Sequence, residues 1–529
     1  MAPKPPTEDF ERGQAKPAGP TIEIPKGFGR GIPPGLAFLR VYITPLRNAP
    51  VRFYQFYMLG ITYFLYVFYH ISRKPFSITK NQLHQNCSLL NNTPTTWDNV
   101  TGANKDTWCS WAPFEKPDYK LLFGGLDAVY YTAYAIAMMY AGTVADRFNL
   151  RYFLLISMVS AGTLTIFFGM AKPLQIHHIA FFYIVQIIGG ALQACFYATG
   201  FPAVVALVGN WFAKKGRGTV FGFWNSHASL GNILGSLLAA VWVEKDWTIS
   251  FVVCGLMIVA GGVISWLFVV IQPEDAGFPA QNVPEGTVAP VAGAPPVATV
   301  EEPHLPFLKI VMIPGVIEYS VCMFFAKGVA YCFINWLPVY IKQTMGTGSM
   351  HAGNTSIFYD MGGMLGGILV GIISDYFGAK GMISGTLMFA AVPVMGMLKA
   401  FGHLGFPELK TLLFFVGMIT VGPYSIISTA VATDLGSSLK GQAKAVATVS
   451  AIINGFGSFG TVFGPLVVSW LAGIGGDKFG WNIVIYFLIG SQAVAAACLG
   501  RLMLREYRRW NVARLVGTVE TVGTAQVMK

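Results

Sequence analysis

GTVADRFNLR, residues 142–151, returns in altered form as GIISDYFGAKG, residues 371–381. Gly142 and Asp146 pair with Gly371 and Asp375 at equal offsets, since 371 − 142 = 229 and 375 − 146 = 229. In both places the string closes an apolar stretch of membrane-spanning length. A glycine four residues before an acid lets two helices approach closely, and the carboxylate then accepts from a neighbouring basic side chain or a helix N-terminus. Arg147 and Arg151 supply such cations in the first copy and Lys380 in the second. A motif repeated at matching places predicts a chain built from two similar halves.

Composition agrees. Of 529 residues 54% are hydrophobic and 12% charged, against about 25% charged in an ordinary soluble chain. Twelve apolar stretches have the length a helix needs to cross about 30 Å of hydrocarbon. They fall near 52–71, 121–144, 152–171, 179–208, 218–243 and 247–271, then near 314–341, 356–374, 382–401, 409–435, 445–471 and 481–504. The expected fold is an all-α membrane protein of twelve transmembrane helices in two six-helix bundles, residues 52–271 and 310–504. Residues 272–309, rich in Pro, Gly and acids, offer no apolar face and read as a flexible cytosolic linker. Residues 1–51 and 505–529 read as cytosolic tails, the first lacking the apolar core of a cleaved signal.

The formal charge of +11 sits in connections and tails, where anionic headgroups account for it better than nucleic acid. Arg147, Arg151, Lys214, Lys215, Arg217, Lys440 and Lys444 fall in connections that would then face the cytosol. The opposite connections carry acceptors for N-linked glycan, starting at Asn86, Asn91 and Asn99 in the 80–120 loop and at Asn354 between spans seven and eight. Pro94 makes Asn91 a poor one. Cys87 and Cys109 share the 80–120 loop, where an oxidising lumen would permit a disulfide. No metal-ligand spacing and no nucleophile–base constellation appears, so neither cofactor, metal nor enzymatic activity is expected.

The string at Gly142, Asp146, Arg147 and Arg151 matches G-x-x-x-D-R-x-x-x-R, and the chain thereby resembles the major facilitator superfamily. That resemblance implies two bundles rocking about a central cavity. A narrower likeness is carried by SRKPFSITK, LHQNCS, WCSWAPF (Trp108–Phe114) and GNWFAKKGRGTVFGFWNSHASLGNILGS (Gly209–Ser236). These strings are similar to the sugar-phosphate exchangers of solute carrier family 37, relatives of bacterial organophosphate:phosphate antiporters. The implied ligands are a sugar phosphate, with glucose 6-phosphate foremost, and inorganic phosphate. The implied residence is the endoplasmic reticulum membrane, with another endomembrane or the plasma membrane as alternatives. The oligomeric state is left open.

Arg73 and Lys74 follow the first apolar run. Snorkelling at the membrane surface is the bland explanation of such a pair. If the N-terminus is cytosolic, however, they stand at the outward end, where positive charge is disfavoured. If the helix runs on to about Thr79, both enter the interior, where an ionisable residue marks a functional site by default. The resemblance implies the latter, with the arginine at the phosphate site. Lys327, the one charge between Ser320 and Ile341, matches the symmetry-related arginine of bacterial members; lysine keeps the charge and loses the bidentate fork.

Tyr134 stands twelve residues before Asp146, as a site tyrosine does in those relatives, which carry a lysine where this chain has Met138. Asn225 and His227 lie in the fifth span. The relatives' histidine is one position later, a rotation of about 100°, so His227 reads either as a site residue or as a satisfied interhelical donor. Asp127 reads as an interface or capping group, and it and Glu318 are the acids noted in the spans. Two unit charges about 4 Å apart at an effective dielectric near 20 repel by about 4 kcal/mol. A phosphate dianion between Arg73 and Lys327 would remove that repulsion and draw the halves together, which is the expected basis of antiport. A proton- or sodium-coupled organic-anion symporter and a non-transporting scaffold are the alternatives.

Overall fold

In the computed structural model the described residues are 31–43, 49–85, 87, 108–145, 150–194, 223–270, 275, 311–377, 379–431 and 443–527. Among them the regular structure is helical. The first half comprises α1 (Pro34–Tyr42), α2 (Val51–Ile71), α3 (Lys74–Leu83), α4 (Tyr119–Ala145), α5 (Leu150–Gly169), α6 (Ile179–Ala194), α7 (His227–Val243) and α8 (Trp247–Phe268). The second comprises α9 (Val316–Met345), α10 (Ser349–Phe377), α11 (Lys380–Phe401), α12 (Phe406–Ile426, continued by a π-turn over Ile427–Val431), α13 (Ala443–Gly473) and α14 (Asp477–Val527). Nine of the described helical segments are long and apolar enough to cross a membrane.

The helices alternate in direction, as their ends show. Trp111, before α4, donates its indole N–H to the Ile176 carbonyl before α6 (3.3 Å) and packs edge-on against Trp247 at the start of α8. The connections entering α4, α6 and α8 therefore meet at one face, here termed distal. The disulfide Cys87–Cys109 lies at that face, together with the amide of Trp111 donating to Leu83 O at 2.9 Å. At the proximal face, Arg151 at the start of α5 donates to Val269 O just past α8 (3.2 Å) and to Gly31 O (2.8 Å). In the second half Glu506 of α14 accepts the amides of Gly381 and Met382, the otherwise orphaned N–H groups that open α11.

Close approach between helices follows from small residues. A side chain at Gly362 of α10 would collide with the Phe414 carbonyl of α12, and one at Gly460 of α13 with the Phe324 carbonyl of α9. Without a hydrophobic driving force between helices in lipid, such backbone-to-backbone fit supplies the dispersion contact that holds them together.

Several expectations change. The N-terminal segment is not wholly a tail, because Pro33 and Pro34 open α1, which buries Leu36 while Arg40 donates to the Tyr54 hydroxyl. Asn354, expected in a loop as a glycan acceptor, lies inside α10. That helix starts at Ser349, just after Gly346 and Gly348, and Thr355 and Ser356 of the acceptor string are buried. Glu244, just past the end of α7, accepts the amide of Met350 at 2.9 Å and so satisfies one of the N–H groups that open α10 ahead of its apolar run. Asn86, Asn91 and Asn99 fall outside the described residues, as do Asp146, Arg147, Lys214, Lys215, Arg217, Lys440 and the Asp375 side chain.

Candidate functional site

The first span does run past Ile71, but with a break. Ser72 and Arg73 form a turn between α2 and α3, and Pro75 stands at the second position of α3. Proline has no N–H to donate, so the backbone ladder is interrupted just where the cations sit. The turn is held by side chains: Ser72 Oγ donates to Tyr69 O (2.9 Å), Gln193 of α6 donates to Ser72 Oγ, and Tyr69 and Tyr130 donate to Gln193. A helix break lined by polar groups is tolerated in a membrane only inside protein.

From this turn Arg73 crosses to the other half. Its Nη1 donates to the Tyr331 hydroxyl of α9 at 3.0 Å, and the guanidinium carbon lies 5.7 Å from the Tyr331 ring centre. Tyr131 of α4 meets Tyr331 edge-on, 5.3 Å between centres, and donates to Asn335 Oδ1 at 3.2 Å. Lys327 stands one turn before Tyr331 on α9, within electrostatic reach of Arg73, with Nζ 3.4 Å from Asn454 Oδ1 of α13. Arg73 and Lys327 thus approach one region from opposite halves.

Lys74 does not share that region in this state. It is 1% exposed, and its ammonium bonds Asp360 Oδ2 of α10 at 2.7 Å while Asn232 of α7 donates to Asp360 Oδ1 at 3.0 Å. A second buried pair, Lys80 of α3 with Asp127 of α4 at 2.6 Å, also donates to Asn335 O across the halves (3.3 Å) and lies over the Trp336 ring. Asp127 is thus an interface group.

His227 is 2% exposed and packs against Tyr66, His70 and Trp224 between α2 and α7, its Nδ1 bonded to Trp224 O and its Nε2 buried with no hydrogen-bond partner among the described residues. The bond at Nδ1 is local, to the carbonyl three residues earlier, and not between helices. Asn225 lies in the turn of helix before it, half-buried. Tyr134 is half-buried on α4, within electrostatic reach of Tyr69. Gly142 lies near the end of α4, Gly371 is buried in α10, and Lys380 opens α11.

Asp360, Asn232, Lys80, Tyr331, Asn335 and Asn454 escaped the sequence reading. Asp360 left a readable signal, a carboxylate inside the apolar run 356–374, where an ionised group needs a partner. The tyrosine and the amides left none, since their role depends on which helices face each other.

The Major Facilitator Superfamily model matches residues 118–450. The chain belongs to the Major Facilitator Superfamily. It is an integral, multi-pass membrane protein. It is 40% identical over 504 residues to the glucose-6-phosphate exchanger SLC37A2 of Mus musculus, covering 91% of this chain and 97% of that one. It is 38% identical over 511 residues to the glucose-6-phosphate exchanger SLC37A2 of Homo sapiens, at 91% and 97% coverage. It is 37% identical over 476 residues to the putative glycerol-3-phosphate transporter 1 of Arabidopsis thaliana, at 86% and 88% coverage. Among solved structures it is similar in fold to a bacterial homologue of the human lysosomal transporter Spinster in an inward-facing and occupied conformation. There the TM-score is 0.57 and the identity 13%, with 86% of this chain and 98% of that one covered. Similarity at that identity concerns the fold.

Proposed function

We propose that this superfamily member exchanges a sugar phosphate, glucose 6-phosphate foremost, for inorganic phosphate by alternating access, in the endoplasmic reticulum membrane. The observation that carries the reading is Arg73, set in a helix break of one half, reaching Tyr331 of the other half one turn from Lys327. A phosphoryl group is the ligand that suits such a place, because it neutralises two cations that otherwise repel across the cavity. The similarity to the glucose-6-phosphate exchangers of mouse and human supports the same substrate class.

In this proposal Arg73 and Lys327 bind the phosphoryl oxygens, Tyr331 and Tyr131 order the guanidinium, and the two halves close about the ligand from either side. Asp146, Arg147, Arg151, Asp375 and Lys380 then govern the proximal face, which is cytosolic, and the distal face is luminal. Asp127 and Asp360 are each held by a lysine ammonium, an arrangement that suits gating better than the ion-coupling carboxylate a symporter would use.

Purified protein in liposomes loaded with inorganic phosphate tests this. External labelled phosphate should enter, external glucose 6-phosphate should compete, and uptake should fall to background when the lumen holds no phosphate. Arg73→Ala and Lys327→Ala should each abolish exchange with folding retained, whereas Lys327→Arg should keep it measurable. Equal uptake into empty and loaded vesicles would reject obligatory exchange.

A further inference from the structure

Three residues of α9 recur at intervals of four: Lys327, Tyr331 and Asn335. At about 3.6 residues per turn they form one slowly turning stripe, each step rising about 6 Å toward the distal face. Arg73 meets the stripe at Tyr331, and Tyr131 of α4 meets it at both Tyr331 and Asn335. The closed seam lies just beyond. Pro338 has no N–H to give the Ile334 carbonyl, and Ser77 of α3 donates to that carbonyl instead at 2.9 Å. The Ser77 hydroxyl is also 3.0 Å from Asn335 O, and Lys80, paired with Asp127, donates to the same oxygen at 3.3 Å. Asn335 therefore stands where the stripe reaches the distal seam.

The Asn335 side chain is half satisfied. The residue is 3% exposed, Tyr131 bonds its Oδ1 at 3.2 Å, and its Nδ2 has no hydrogen-bond partner among the described residues. A tyrosine hydroxyl can donate to the amide oxygen or accept from the amide nitrogen, so turning the amide over leaves its other end open instead. Tyr131 lies within electrostatic reach of Arg73 and holds the amide on the side of α9 that Arg73 approaches. A buried polar group without a partner costs free energy that a bond to a ligand recovers. Length selects the ligand. A phosphoryl group between Arg73 and Lys327 sits near the level of Tyr331, and inorganic phosphate ends there. A hexose joined through its 6-oxygen carries its hydroxyls about one helical turn further, to the level of the open amide end.

We infer that Asn335 binds a hydroxyl of the sugar, so that a sugar phosphate lies along α9 with its phosphoryl group between Arg73 and Lys327 and its ring toward the distal seam. The assignment rests on the exchange reading and deepens it: the two cations recognise what both ligands share, and Asn335 recognises what inorganic phosphate lacks. Selectivity between the two ligands is thereby separated from the charge that binds them.

Labelled phosphate exchange in phosphate-loaded proteoliposomes, with glucose 6-phosphate and its monodeoxy analogues as competitors, tests the assignment. In the unaltered protein at least one monodeoxy analogue should compete about threefold to tenfold less well than glucose 6-phosphate, the worth of one neutral hydrogen bond. Asn335→Leu keeps the branched shape and removes the polar end. It should weaken competition by glucose 6-phosphate by about threefold to tenfold more than it raises the KM for inorganic phosphate, and that analogue should then compete as well as its parent. Equal shifts for glucose 6-phosphate and phosphate would make Asn335 a residue of the seam alone and overturn the assignment. A difference between analogue and parent that persists in Asn335→Leu would overturn it too, since the hydroxyl would then be read elsewhere. So would monodeoxy analogues that all match the parent, a result that requires no variant to fold. Unaltered protein that exchanges phosphate with no competition from glucose 6-phosphate, or that shows no phosphate exchange, would instead sink the exchange reading and the assignment with it.

Discussion

Asp360 shows what a single carboxylate does inside a membrane protein. It is 2% exposed and joins Lys74 of the first half to α10 of the second, with Asn232 on its other oxygen. Removing one member of a buried pair leaves an uncompensated charge at a cost of about 3–5 kcal/mol, whereas replacing both with apolar residues of similar volume is often neutral. Asp360→Leu alone and Lys74→Met alone should therefore each lower the thermal unfolding midpoint in detergent. The double variant should recover most of the loss, a coupling that a thermodynamic cycle isolates. Additive losses in the double variant would show that the two side chains act independently. The same logic explains why Lys74 reads from the sequence as a functional-site residue. A charge in an apolar run announces that a partner exists, but whether the partner is a substrate or a carboxylate depends on which helix lies opposite.

At the scale of helices, glycine decides how near two backbones come. Gly362 and Gly366 of α10 face the Phe414 and Met418 carbonyls of α12 with no room for a Cβ. Gly362→Leu should force these helices apart, and since overpacking costs about 1–3 kcal/mol or more, the melting midpoint should drop by several degrees. An unchanged midpoint would mean that the two helices are not held by this contact.

The helices themselves were legible because an apolar run of about 20 residues has few other fates. Their ends were less so. α10 starts seven residues before its apolar run, carrying Asn354 into a helix, and α14 extends to Val527, far beyond residue 504. Polar helical turns at a membrane edge leave no hydropathy signal. The break at Ser72–Arg73 was marked by Pro75, and α1 by Pro33–Pro34 ahead of an apolar turn. Those signs lay within the sequence and were read as tail and continuous span. Arg73 stood out by its place at the outward end of the first span and Lys327 by its isolation among apolar neighbours, the phosphate role of both being what the resemblance implies, while Tyr331 and Asn335 became visible only once α9 lay against α3 and α4.

For the whole molecule, the described bonds between the halves gather at the distal ends. α3 and α4 contribute Ser77, Lys80, Asn81, Gln82 and Lys120, and α9, α10 and α13 answer with carbonyls and hydroxyls. The molecule is therefore in a form closed at that face. Alternating access requires these contacts to separate once per cycle, so holding them together should stop transport without disturbing either half. Gln82 Nε2 donates to Ser349 Oγ at 3.1 Å, one residue from each half at the rim. Gln82→Cys with Ser349→Cys, treated with a short reducible thiol–thiol cross-linker, should lose phosphate exchange, and cleavage of the linker should restore it. The single variants and the unaltered protein, taken through the same treatment, control for the Cys87–Cys109 disulfide and the remaining cysteines. Exchange that continues after complete cross-linking would mean that the distal face does not open during transport, and the cycle would have to run through some other path.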